Sequence, residues 1–352
     1  MKAEDRLLEL KSKAREAYLA LPMPSWKYGL NIRLKFDFDM ENLNDIDVTP
    51  LKLFASSDVV VDNLHENIFS TLDPKDKFSN FHIANSARFL VLEIPEGKTG
   101  NSKLVTNSTN NTFDTIMIIA KPNSKIDFIY NNKNTNQLSS TYVEILADEN
   151  TVVNFISVDG NKNHNIIIRK AIVKRNASVN WLETIPGSAF VKADTKTFLR
   201  EEGAATRHYT IFKGAQEDQA DIVAKAVHEV AGTRSELVAK GLLNDKAKAV
   251  YQGDITMLQA AKGSVGSQKS EVLLLSKDAE ADAVPKLVVD NYDVQASHSS
   301  SVGRLDADKL FYLTSRGLSE DEAKDIMIEG FFDPLIMKIP EKMQDEIRVV
   351  IK

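Results

Sequence analysis

The sequence contains no cysteine. This chain therefore supplies no disulfide, no thiolate metal site and no cysteine nucleophile. No segment reaches the length of a membrane span, and no long run of lysine or arginine exists. The formal net charge is −6, so neither nucleic acid nor an anionic membrane is an expected partner. A phosphate loop is also missing: "GSVGS" at 263–267 lacks the Lys-Ser/Thr ending and does not lead into a helix. H-E-x-x-H and G-x-S-x-G are absent. The six histidines, His65, His82, His164, His208, His228 and His298, are scattered, so a metal site would have to be assembled by the fold or by a partner. The opening segment, "MKAEDRLLELKSKAREAYLALPMP", is charged and amphipathic and lacks the apolar core of a signal peptide. The expected location is the cytoplasm, and the sequons at Asn107 and Asn110 read as chance matches.

What is present is enough chain, 352 residues, for two or three domains or one elongated one. Residues 3–20 place Leu7, Leu8, Leu10, Ala14, Ala17, Tyr18 and Leu21 near one face at helical spacing, and Pro22 and Pro24 stop that helix. Residues 30–95 read as mixed short elements. "IRLKFDF" alternates like a strand, and "RFLVLEIPEG" ends in a turn. From about 115, β-rich runs recur around small polar turns. Examples are "IMIIAKPNSKIDFIY", "YVEILADENTVVNFIS", "IIIRKAIVKRNASVNWLE" and "KTFLREEGAATRHYTIF". The turn residues Asn123, Asn150, Asn176 and Gly203 lie 27, 26 and 27 positions apart. Recurrence at this period, with no intervening helical pattern, predicts a β-solenoid whose coils stack because none can bury its apolar face alone. The alternative is an antiparallel sandwich with regular turns.

After His298 the period becomes helical. Asp306 is placed to cap a helix carrying Leu310, Phe311 and Leu313, with Gly317 ending it. Ser319 and Glu322 have capping-box spacing. The second helix presents Ala323, Ile326 and Met327 and ends at Gly330. Asp333-Pro334 is expected to begin a third helical segment, broken at Pro340.

Chemistry is harder to find. A solenoid enzyme acting on carbohydrate would need convergent carboxylates. Glu201, Glu202, Asp218, Asp221, Asp290 and Asp293 adjoin turns and read as solvated surface charge. Alternation in "DIVAKAVHEV" puts His228 on the face of Ile222, Ala224 and Ala226, as a hydrogen-bonded histidine lining the interior. Trp181 reads as core, and Arg207 and His208 carry no distinguishing signal. Spacing alone makes His298, with no second ligand nearby, a junction residue.

Residues 228–332 carry a resemblance. The matching stretches are "SELVAKGLLND" at 235–245, "VYQGDI" at 250–255, "AAKGSVGSQKSEVLLLSKDAEA" at 260–281, "PKL" at 285–287 and "DVQASHSSSVGRLDADKLFYLTSRGL" at 293–318. "LPMPSWKY" at 21–28 adds a Pro–Trp region. On these residues the chain resembles the SufB/SufD family of iron–sulfur cluster assembly proteins. The absence of cysteine makes it look more like SufD than SufB. Ala296, Val288 and Ser299 stand where the common SufD pattern has other residues.

The resemblance implies a mainly β fold: a right-handed parallel β-helix over 96–304, between an N-terminal helical and mixed region, 1–95, and a C-terminal helical region, 305–352. It implies a non-catalytic scaffold subunit that pairs through the β-helix with a SufB-like subunit or with itself, and docks a SufC-like ABC ATPase through its C-terminal helices. The readings weighed against it are a homo-oligomeric SufB-like scaffold and a β-helix carbohydrate enzyme. The residues expected to meet the ATPase are Leu310, Phe311, Tyr312, Arg316, Leu318, Ile326, Met327, Phe331 and Phe332. His298 becomes half of a metal or cluster-assembly site completed by the partner, with Ser297, Ser299, Ser300 and Ser301 as its local hydrogen-bond partners. No cofactor is expected to bind stably to this chain alone; an iron–sulfur cluster is expected on the complex.

Overall fold

The computed structural model describes residues 3–28, 32–41, 43–71 and 75–338, together with 341, 344, 347 and 348. Its centre is a parallel β-solenoid of about eight coils, each contributing one strand to each of two nine-stranded sheets. One sheet runs from 88–94 through 112–120, 138–147, 164–173, 190–199, 219–228 and 248–257 to 280–289. The other runs from 99–106 through 125–132, 152–159, 178–185, 205–214, 234–243 and 265–274 to 295–304.

The repeat seen in the sequence is one corner of the solenoid. Gly97, Asn123, Asn150, Asn176, Gly203, Gly232 and Gly263 all have φ between 54° and 77°, the left-handed conformation that glycine and asparagine tolerate best. The backbone N–H of Asn123, Asn150, Asn176, Gly232 and Gly263 each donates to a carbonyl of the next coil, so the corners stack as well as turn. Asn150 donates to Asn123 Oδ1 at 3.1 Å and Asn176 to Asn150 Oδ1 at 3.4 Å. That side-chain ladder stops at Gly203, where an added Cβ would fall 2.2 Å from Asn176 Oδ1.

Inside the solenoid, like sits on like. Phe128, Phe155 and Trp181 pair in register. The two phenylalanine rings stack at 5.3 Å, and Trp181 follows at 5.4 Å. Two histidines are fully buried with both ring nitrogens engaged, His228 inside the solenoid and His82 between the helix 77–85 and the outer face of the first sheet. His82 meets Ser140 Oγ at 2.8 Å and Thr115 Oγ1 at 3.0 Å. His228 meets Thr233 Oγ1 and Ser235 Oγ, both at 2.7 Å. This is the interior role expected for His228.

The two chain ends cover opposite outer faces of the solenoid. Helix α1 (Ala3–Ala20), helix α2 (Lys77–Asn85) and the segment between them bury Ala14, Tyr18, Trp26, Leu34, Phe78 and Phe81 against the first sheet, on Phe113, Tyr142, Ile166 and Phe190. Leu8 points away and is exposed. "IRLKFDF" is not one strand. Only Ile32–Arg33 pairs, with Lys27–Tyr28. Beyond it, Phe36 packs on Trp26 and Phe190 at 5.8 and 5.1 Å: the segment crosses the face of a sheet, where no ladder is available. Asp221 is also not solvated. It is buried and accepts from Trp26 Nε1 and contacts Lys192 Nζ, both at 3.0 Å.

Helix α3 (Ala307–Ser315) is capped by Asp306, and helix α4 (Glu320–Ile336) by the reciprocal Ser319–Glu322 box. Arg316 ends α3, with Gly317 following at φ 98°. Helix α4 continues through both Gly330 and Pro334, so no separate third segment begins at Asp333; the expected break at Pro340 lies outside the described residues. A proline this late in a helix costs up to about 3 kcal/mol. Burial of Phe332, Leu335 and Ile336 against Ile156, Leu182, Val238 and Leu242 of the second sheet outweighs it, at roughly 1.5–3 kcal/mol per large side chain.

Burial lowers the His82 imidazole to about 3, with Lys11 adding to the effect, and lowers His228 to about 4. Unfolded, both titrate near pH 6.5. Between pH 4 and 6.5 the unfolded state binds more protons, so stability is complete above 6.5 and is lost as pH falls through that window, by about 3 kcal/mol for His228 alone. His228→Gln should flatten the dependence of the urea midpoint on pH between 6.5 and 4. An unchanged slope would contradict a neutral buried His228.

Candidate functional site

The two ends of the solenoid are finished differently. At the N-terminal end, short antiparallel strands, Leu53–Ala55 and Val60–Asp62, close both sheets. At the C-terminal end, strands 280–289 and 295–304 are the last members of their sheets, and among the described residues nothing pairs with their outer edges. Helix α4 lies across the face of the second sheet and leaves this mouth open. Strand 295–304 is exposed along almost its whole length.

His298 stands at that mouth. Its register partner is Gln268, then Leu237, His208, Trp181 and Phe155 down successive coils. Parallel in-register pairing keeps each side chain on the same face, so His298 is the last member of an inward column and is exposed because no further coil covers it. Ala296, Ser300 and Val302 share that face, above Gly266, Ser270 and Val272. Ser297, Ser299 and Ser301 lie on the opposite, outer face. Among the described residues no group of three or more His, Cys, Asp or Glu side chains is placed to hold a metal ion, at His298 or elsewhere.

Further down, the interior holds an ionic cluster that the sequence reading did not identify. Arg169, fully buried, reaches Asp159 Oδ2 and Glu183 Oε1, each at 2.8 Å. Ser157 Oγ accepts from Arg169 at 2.8 Å, Thr195 donates to Glu183 at 2.5 Å, and His208 Nε2 lies 3.1 Å from Glu183 Oε2. Burial alone would raise the Glu183 carboxyl; His208 and Arg169 outweigh it and hold the group at about 2. Burial raises Asp159 despite Arg169. The available signal was Arg169 inside "IIIRKAIV", a run apolar on both faces, as a strand covered on both sides requires. A charge there needs an internal counter-charge.

The docking residues divide by burial. Phe311 is 73% exposed, Tyr312 57% and Ile326 48%. Arg316 is exposed and lies 5.2 Å over the Tyr312 ring. Leu310, Leu318 and Met327 are half-buried. Phe331 and Phe332 turn inward: Phe332 is fully buried on the solenoid, and the Lys240 ammonium, 4.3 Å over the Phe331 ring, donates to the Phe331 carbonyl at 2.6 Å. The structure thus separates an outward set, Phe311, Tyr312 and Ile326, from an inward set that fixes α4. Of the carboxylates considered for an enzyme, Asp221 is buried against Trp26 and Lys192. Among the described residues no helix is long and apolar enough to cross a membrane.

Removing the cation from the ionic cluster leaves two buried carboxylates facing each other. Arg169→Met should lower stability by roughly 3–5 kcal/mol in urea titration. Adding Asp159→Asn and Glu183→Gln should recover much of the loss. Wild-type stability in the single variant would show that the cluster is not dry and paired.

Known proteins resemble this chain in sequence. Residues 104–331 match the family model described as "SUF system FeS cluster assembly, SufBD core domain". An iron–sulfur cluster assembly SufBD family protein of Staphylococcus saprophyticus is 27% identical over 308 residues, covering 83% of this chain and 65% of that protein. One from Staphylococcus epidermidis is 26% identical over 253 residues, covering 70% of this chain and 54% of the relative. This chain thus spans between about half and two thirds of the curated relatives it matches. With nearly the whole solenoid, α3 and most of α4 inside the matched segment, the chain belongs to the SufBD family of iron–sulfur cluster assembly proteins.

Proposed function

We propose that this chain is a SufD-like, non-catalytic subunit that joins a second β-helix subunit at the open end of its solenoid and presents α3 and α4 to a SufC-like ATPase. The observation that carries this reading is the mouth itself: a last strand, 295–304, that is exposed along almost its whole length and carries one inward histidine. An exposed strand edge invites pairing with another chain. Of the two edges, 280–289 contains Pro285, which lacks an N–H to donate, whereas 295–304 contains no proline. The favoured joint is therefore 295–304. A chain without cysteine cannot supply thiolates to a cluster, so sulfur ligands come from the partner or from the sulfur donor, and His298 contributes an imidazole to a site completed across the joint.

For the ATPase, the aromatic pair Phe311 and Tyr312, with Ile326, has the composition of an interface anchor. Deleting residues 305–352 would uncover the apolar face of the second sheet, so surface substitutions are the sharper test. Phe311→Ala with Tyr312→Ala should weaken ATPase binding at least tenfold in calorimetry, since anchor truncations cost about 2 kcal/mol or more, while the melting temperature stays near wild type. Undiminished affinity would remove α3 from the interface.

His298→Ala should leave folding and ATPase binding intact and reduce iron or cluster accumulation on the complex with a SufB-like subunit. Wild-type cluster yield would return His298 to a structural role. If the chain instead forms a stable homodimer that accumulates clusters unaided, the homo-oligomeric scaffold replaces this reading.

A further inference from the structure

We infer that Gln268 is the positioning residue for His298, setting which imidazole nitrogen carries the proton. The inference rests on the reading of His298 as a ligand, and deepens it.

Gln268 is 4% exposed, and both its amide atoms, Oε1 and Nε2, are buried without a hydrogen-bond partner. A buried unpaired polar group costs about 1–3 kcal/mol, so such a group calls for a partner. Three directions are closed. Below it in the column stands Leu237, which has no polar side-chain atom. Across the solenoid the amide rests against the backbone of Gly253, where an added Cβ would fall 2.2 Å from Nε2. Deeper still, His208 is already held by Glu183. Upward, at the mouth, His298 is the in-register neighbour, one strand spacing of about 4.8 Å away. His298 is exposed, so rotation of its own side chain brings the ring over the amide.

The chemistry of that contact is directional. Gln268 Oε1 accepts the proton of one ring nitrogen, and the other nitrogen then keeps its lone pair turned out of the mouth. A histidine that binds a metal through one nitrogen commonly donates from the other to an oxygen acceptor, which fixes the tautomer and aims the lone pair. The cation that fits a single imidazole beside thiolates from another chain is a borderline one such as iron(II). Gln268 touches neither cation nor cluster; it acts only through the ring.

The test needs neither partner nor cluster. Full-length chain labelled with 15N-histidine gives ring nitrogen shifts for His298, identified by their loss in His298→Ala. The wild type should show one dominant tautomer. Gln268→Met, and Gln268→Leu as a second apolar variant, should move both His298 nitrogens toward the averaged values of an exchanging mixture. Gln268→Glu, which keeps an acceptor at that place, should restore the single tautomer. Unchanged His298 shifts in a folded apolar variant would overturn the inference, whatever happens to the melting temperature. Because the readout is on the free chain, a neutral His298→Ala in cluster assembly would sink the ligand reading while leaving this contact standing, and unaltered shifts would do the reverse.

Discussion

Parallel, in-register pairing between strands one coil apart is the constraint on which the rest of this molecule depends. It places each inward residue directly above its counterpart, so the chemistry of one coil must suit that of the next. Phe128, Phe155 and Trp181 satisfy this as an aromatic stack. Asn123, Asn150 and Asn176 satisfy it as an amide ladder at the corner. The same rule carries the polar residues: the inward column of Phe128, Phe155 and Trp181 continues through His208, Leu237 and Gln268 to His298. A solenoid built this way has no intrinsic stop, so each end needs its own solution. The N-terminal end reverses strand direction. The C-terminal end does not, and its last inward residues face out of the fold.

The chain ends then act as two clamps rather than plugs. The N-terminal segment lies on one sheet, with Lys77 donating to the carbonyls of Tyr18 at 2.8 Å and Leu21 at 2.6 Å and so satisfying the end of α1. The C-terminal helices lie on the other sheet, held by Phe332, Leu335 and Ile336 and by Lys240 at the Phe331 carbonyl. With both faces covered, Phe311, Tyr312 and Ile326 stay exposed on α3 and α4, and among the described residues nothing pairs with the strand edges at the mouth.

Much of this was legible in the sequence, for identifiable reasons. Asparagine and glycine at a fixed spacing had a physical cause, the left-handed corner, and so reported the coil directly. The Asp306 and Ser319 caps are local hydrogen-bond motifs and read equally well. His228 followed from alternation alone. What failed depended on distant partners. Asp221 looked like surface charge because Trp26, its donor, is nearly two hundred residues away in sequence. Pro334 looked like a helix start because local propensity knows nothing of the sheet that Phe332 and Ile336 bury against. Arg169 lies on one sheet and Glu183 and His208 on the other, and only the closing of the solenoid brings them together. The inward orientation of His298 is of the same kind: the run of serines around it hides the alternation that would mark its face.

The central claim is that the C-terminal mouth, and not the antiparallel cap at the other end, is where this chain is completed by another β-helix. Hydrogen–deuterium exchange on the chain alone and in complex with a SufB-like subunit tests it most directly. Complex formation should slow exchange strongly for amides of 295–304 and leave 53–62 unchanged. Protection confined to 53–62, or absent from 295–304 in a complex that has formed, would contradict the account.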